Sequence, residues 1–219
     1  METQGFMAAS NHYRFITRWR VRATAEEAYA ILSQPLEYPR WWPSVYLTVR
    51  ELQGGDASGK GREFRLQTKG WLPYTLAWDA KTVSTREPYH IIMTASGDFV
   101  GRGIWSIVPD GDFVDISFDW KLSAEKPLLR FLSFVLKPTF EANHRWAMDQ
   151  GFRDLELELA RSRARTVEEM NSIAAPVGPA RLAGKSVVAG ALLAAAILGL
   201  AIGTHESHQP SEPAAESRG

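Results

Sequence analysis

The chain has 219 residues, 45% of them hydrophobic, and its 25 basic and 25 acidic side chains cancel to a formal net charge of zero. That length suits one compact domain with an appendage, and the apolar fraction is enough for a sizeable core. The balanced charge supplies no field to steer the protein toward nucleic acid, and the absence of cysteine excludes disulfides, thiolate metal sites and a cysteine nucleophile.

Met1 to Ser10 lacks a basic start and a continuous apolar run, so it does not read as a secretory signal. From Tyr13 to Val21 the odd positions Tyr13, Phe15, Trp19 and Val21 are apolar while Arg14, Arg18 and Arg20 take the other face, which predicts a half-buried strand interrupted only by Ile16. Thr24-Ala-Glu-Glu27 is a capping box, followed by Ala28, Ile31 and Leu32 at helical spacing, and Pro35 ends that helix. The segment from Pro35 to Pro43 holds too many prolines for a long helix. Its Trp41 and Trp42 carry more apolar area than a surface loop needs, so it reads as a lid or plug.

Val45 to Arg50 alternates as a second strand, and the glycines from Gly54 to Gly61 read as a turn, without the Lys-Ser/Thr ending of a phosphate-binding loop. Phe64, Leu66 and Thr68 share one face of the next strand, and Tyr74, Leu76, Trp78 and Ala80 one face of the strand after it. Further strands follow at 89–96, 101–108 and 113–122. The last sets Val114, Ile116, Phe118, Trp120 and Leu122 against Asp115, Ser117, Asp119 and Lys121. Such alternation predicts an antiparallel sheet with one wet face. The dry face needs a cover, which we assign to a helix from Pro127 to about Arg161. Leu128, Phe131, Leu132, Val135, Thr139, Phe140, Asn143, Trp146, Leu155 and Leu159 roughly keep one stripe on it, and Pro138 should bend or break it.

Residues 162–185 read as a linker with one short helix opened by the box Thr166-Val-Glu-Glu169. From Ser186 to Gly203 the chain is apolar, with no charge between Lys185 and Glu206, and a helix there spans about 27 Å, close to a bilayer's hydrocarbon core. We read 186–203 as a transmembrane helix and 204–219 as a polar tail. Arg161, Arg163, Arg165, Arg181 and Lys185 precede it while Arg218 alone follows, which puts the soluble domain on the cytoplasmic side. Ala195, Gly199 and Gly203 form a row of small residues through which two copies could pair, although plain Ala/Gly richness explains the row as well.

The order of strand, short helices, six strands and long helix is that of an α+β helix-grip fold. Thr24-Ala-Glu-Glu-Ala-Tyr-Ala-Ile-Leu32, Pro39-Arg-Trp-Trp-Pro43 and Pro138-Thr-Phe-Glu-Ala-Asn-His-Arg-Trp-Ala-Met-Asp-Gln-Gly151 resemble the START-like, or SRPBCC, superfamily, in its polyketide cyclase/dehydrase and lipid-transport branch. The resemblance covers residues 11–161 and implies a cavity between sheet and last helix that accepts a hydrophobic ligand, and a cavity bounded by aromatic rings with few charges would favour a flat or long one such as a lipid, isoprenoid or polyketide.

Trp42, Trp78, Trp105, Trp120 and Trp146 fall where they could line that interior, with Phe140 and Asn143 on the helix stripe; equally, the rings could simply fill the core. His144 has three open roles: packing or bonding to a loop, ligand contact, or acid/base catalysis in a cyclase or dehydratase. Arg102 could meet an anionic head group but reads more simply as a solvated strand residue, and Asp79 alternates to the polar face. His12, His90, His144, His205 and His208 show no paired metal spacing, and neither a nucleophile elbow nor a paired-carboxylate site is present, so no metal or cofactor is expected. The aromatics point to binding more than to turnover. An interaction module with a filled core, held at the membrane, is the remaining alternative.

Overall fold

A computed structural model describes residues 12–72, 74–124 and 127–179; for His12, Ala124 and residues 127–137 it describes the backbone alone. The chain opens with β1 (His12–Val21), whose Tyr13, Trp19 and Val21 are buried while Ile16 lies on the outer face, 48% exposed. Helix α1 (Ala25–Leu32) starts at the expected box: the Glu27 amide donates to Thr24 Oγ1 at 3.2 Å and the Thr24 amide to Glu27 Oε2 at 2.8 Å. A 3-10 turn (Pro35–Glu37) and the single-turn helix α2 (Tyr38–Trp41) follow, locked to α1 by a buried 2.6 Å bond from the Tyr38 hydroxyl to the Leu32 carbonyl. Trp41 and Trp42 are fully buried, which makes this segment a plug and not a lid.

Six strands complete the sheet: β2 (Tyr46–Gln53), β3 (Glu63–Lys69), β4 (Thr75–Arg86), β5 (His90–Gly97), β6 (Phe99–Asp110) and β7 (Phe113–Ala124). All pair antiparallel in the order β1-β7-β6-β5-β4-β3-β2. The alternation of β7 is realised, with Val114, Ile116, Phe118 and Trp120 buried. On the outer face, Arg14 forks onto Asp119 and Arg20 onto Asp115, each pair joining β1 to β7; farther along, Arg65 forks onto Asp79. These exposed pairs keep the face wet and contribute little stability each.

Helix α3 (Pro127–Arg163) crosses the inner face and runs through Pro138 without a break. Pro138 sits on the exposed side, where the carbonyl it leaves unbonded can take water. Of its expected apolar stripe, Leu155 and Leu159 are buried and Trp146 is partly buried against the core, whereas Leu128, Phe131, Leu132 and Val135 have no described side chains. α3 does not cover the sheet alone. Ala25, Ala28, Tyr29 and Leu32 of α1 and Trp41 of α2 belong to the same core, so the dry face is shared.

Helix α4 (Val167–Ser172) carries the second expected box, between Thr166 and Glu169. Beyond it the chain doubles back along α3: the Arg161 guanidinium donates to the Ala174 carbonyl, and the Val177 amide reaches the Asp154 carboxyl. The stretch read as a linker with one short helix thus carries a mostly exposed strap, tied to α3 at Ala174 and Val177. No helix among the described residues is long and apolar enough to cross a membrane. The expected spanning segment 186–203, with the pairing row of Ala195, Gly199 and Gly203, lies outside them.

Candidate functional site

Between the inner face of the sheet and α3 lies a cavity of about 170 Å³. Six of the residues singled out in the sequence line it: Trp42, Trp78, Trp120, Phe140, Asn143 and His144. Tyr13 and Phe15 from β1, Leu76 from β4 and Phe99 from β6 add to the wall, so it is mostly ring and aliphatic carbon. The rings brace one another, Phe118 stacking on Trp105 at 4.2 Å and on Trp120 at 5.4 Å, and Trp78 tilting against Trp120 at 5.9 Å.

Few polar groups interrupt this surface. The Trp78 indole donates to Thr68 Oγ1 at 3.0 Å, which fixes both side chains. Asn143 Oδ1 accepts from the Leu72 amide at 3.2 Å and pins the β3–β4 loop to α3, an approach that needs Gly70, since a Cβ there would overlap the Asn143 amide. Replacing Asn143 by alanine should cost about 1 kcal/mol and speed amide exchange at Leu72, read by hydrogen-exchange mass spectrometry over 70–74. Unchanged exchange would show that the loop is held by other contacts.

His144 stacks face to face on Phe15, with ring centroids 4.2 Å apart. Its Nε2 is buried without a partner, and desolvation lowers its pKa to about 4, so the imidazole is neutral at physiological pH. Trp42 Nε1 is likewise buried and unsatisfied. Buried nitrogens without a partner are costly to the fold.

Trp105 and Trp146 do not line this cavity. Trp105 faces a second and larger one, about 430 Å³, under α1 and the 3-10 turn and against the turn at 56–59. The sequence reading missed this space because it assigned the whole dry face to the last helix. Trp146 packs from the side of α3 against the core and lines neither cavity.

Two acids in the core also escaped the sequence reading. Glu158 is gripped by both terminal nitrogens of Arg40, at 2.9 and 2.6 Å, and ties α3 to α2. Asp154 is 2% exposed, and burial pushes its carboxyl up to about 6 although Arg161, the Val177 amide, Arg153 and Ser44 pull the other way. Asp154 Oδ2 and Ser44 Oγ face each other without a bond of good geometry. A signal for these acids existed: Ala147, Gly151, Asp154, Leu155 and Glu158 recur at three- and four-residue steps, so both fall on the inner stripe of α3. Arg102 is exposed and Asp79 is paired with Arg65, both on the wet face. Among the described residues no three His, Asp or Glu side chains are grouped to hold a metal.

The chain is similar to solved structures of the same fold. A protein of Thermus thermophilus superposes with a TM-score of 0.57 at 13% identity, over 69% of this chain and 100% of its own. A START superfamily protein from Mycobacterium smegmatis gives 0.56 at 19%, over 68% and 98%. The Zhui aromatase/cyclase from Streptomyces sp. R1128 gives 0.57 at 14%, over 70% and 97%. At such identities the likeness establishes the helix-grip fold and nothing finer. No curated protein matches the sequence. The family model for polyketide cyclase/dehydrase and lipid transport matches residues 14–160, which take in β2 to β7 whole and most of β1 and α3. On that match, the chain belongs to the polyketide cyclase/dehydrase and lipid transport family.

Proposed function

We propose that this protein binds and carries a hydrophobic small molecule between its sheet and α3, held at a membrane by the segment 186–203 with the domain on the cytoplasmic side. The observation that carries the reading is the cavity wall, braced aromatic and aliphatic carbon with few polar groups. Such a surface gains free energy by removing apolar ligand area from water. The tether rests on the uncharged apolar run and on the basic residues before it.

Native mass spectrometry of the full chain, released from detergent, should show a bound lipid-like mass or uptake of an added apolar probe. Carbonate washing of host-cell membranes should leave the chain in the pellet. A chain that stays empty in the presence of probe would overturn the binding reading, and one washed free would overturn the tether.

A second reading, a cyclase or dehydratase with His144 as its acid/base, draws on the place of His144 in the cavity wall. Its depressed pKa makes it a weak base near neutrality, which favours the carrier. If turnover of a polyketide-like substrate is found and His144→Ala abolishes it with the fold intact, the enzyme reading replaces ours.

A further inference from the structure

The two cavities are neighbours. Tyr46, Trp78, Met93 and Phe118 line both, so one layer of side chains separates about 170 Å³ under α3 from about 430 Å³ under α1. Three members of that layer are fixed. Trp78 is bonded to Thr68, Phe118 is stacked between Trp105 and Trp120, and Tyr46 meets Tyr38 and Trp42 edge-on at 4.7 and 5.0 Å. Met93 has no such brace, and its unbranched thioether can change rotamer at little cost.

The space under α1 has an apolar floor of Phe64, Leu66, Ile91 and Trp105, and a rim whose charges are largely committed. Arg62 Nε donates to Glu51 at 3.1 Å, and its guanidinium lies over the Phe64 ring at 4.8 Å. The Asp56 carboxylate accepts from the Ser58 amide and hydroxyl and from the Lys60 amide. The neutral rim groups are Ser33, Gln34, Thr82 and Thr85, and the acids Asp56 and Glu87 beside them disfavour an anion.

We infer that the two cavities are chambers of one site, joined when Met93 swings aside, and that it takes an elongated apolar molecule ending in an uncharged hydroxyl or carbonyl at the rim under α1. This rests on the hydrophobic-ligand reading above and extends it. The smaller chamber alone is below the roughly 300 Å³ at which ligand sites commonly begin and the larger alone is above it, so joining them gives the smaller one a use as the seat of the ligand's tail.

The test is displacement of the uncharged dye N-phenyl-1-naphthylamine from the full chain by straight-chain primary alcohols, from hexanol to tetradecanol. Affinity should rise about fourfold per added methylene across the series. Ala80→Leu fills the larger chamber from its floor; because it could disturb packing, Thr82→Leu at the more open rim is a second variant. In either, affinity should stop rising beyond the short alcohols, and hexanol, short enough to fit the chamber under α3, should lose less affinity than tetradecanol. Tetradecanoate should bind at least tenfold more weakly than tetradecanol. If the dye and hexanol bind but the wild-type series is flat, or both variants follow the wild type, the joined site is overturned and the single-cavity reading stands. Equal binding of tetradecanoate overturns the assignment of the uncharged end. Failure of dye and every alcohol to bind overturns the hydrophobic-ligand reading itself.

Discussion

Replacing Gly151 by alanine should lower the stability of the domain by about 2 kcal/mol, a fall in Tm of roughly 4–8 °C, even though alanine is the better helix former. A Cβ at this position would overlap the benzo edge of the Trp42 indole. That ring cannot step aside: it stacks on Trp41 at 5.4 Å and meets Trp19, Tyr38 and Tyr46 at 6.0, 6.2 and 5.0 Å. α3 must therefore lift away, and the cavity beside it changes shape. Trp42→Ala alone should cost about 3–5 kcal/mol through the hole it leaves. Combining the two removes the overlap, so Gly151→Ala should be neutral or mildly stabilising in the Trp42→Ala background. A denaturant double-mutant cycle with a coupling of about 2 kcal/mol would establish the contact, and strict additivity would refute it.

Asp154→Asn should stabilise the protein at pH 8 and leave it unchanged at pH 4. An acid whose pKa the fold raises favours folding while it is protonated. That contribution is fully present below its unfolded value of 3.8 and is lost as pH climbs through about 6. Relief from ionisation is worth up to about 3 kcal/mol, or roughly 5–10 °C in Tm. An asparagine amide could still accept from the Val177 amide and could donate to the unsatisfied Ser44 Oγ. Because Glu27, Asp79 and Asp119 are lowered by their arginine partners and lose stability in acid, the quantity to follow is the difference between variant and wild type. Thermal melts at the two pH values decide it. A loss at pH 8 would mean that the ionised carboxylate holds the strap by its charge.

What the sequence reveals about this fold depends on whether a residue's role is carried by its side chain or by a neighbour's backbone. β7 is legible because Val114 to Trp120 bury every second side chain, and α1 because Thr24 and Glu27 cap each other within four residues. The motif from Pro138 to Gly151 located the cavity wall at Phe140, Asn143 and His144. It could not say that Gly151 is small for the sake of Trp42, a residue more than a hundred positions away. Trp41 and Trp42 announced apolar area but not its direction, and the share of the sheet taken by α1 and α2 went unseen with them. The strap at 173–179 was illegible for a different reason. Its contacts are made by the Ala174 carbonyl and the Val177 amide, groups that every residue possesses. Trp105 was rightly placed on the inner face, but which of two chambers it meets depends on where α1 lies above the sheet.

In the strand order, β1 and β2 are outermost, so among the described residues the sheet does not close into a barrel and β1 has a side that no other strand pairs. Such a margin can template strands of a second molecule, with fibrous assembly as the outcome. From Arg14 to Arg20, Arg14, Arg18 and Arg20 occupy every outward position of β1 except that of Ile16, and Arg14 and Arg20 are tied back to Asp119 and Asp115 on the neighbouring strand. An incoming β1 of another copy, lying antiparallel, would set arginine against arginine. The row that keeps one face of the sheet wet thus also guards the protein against polymerising along its own margin.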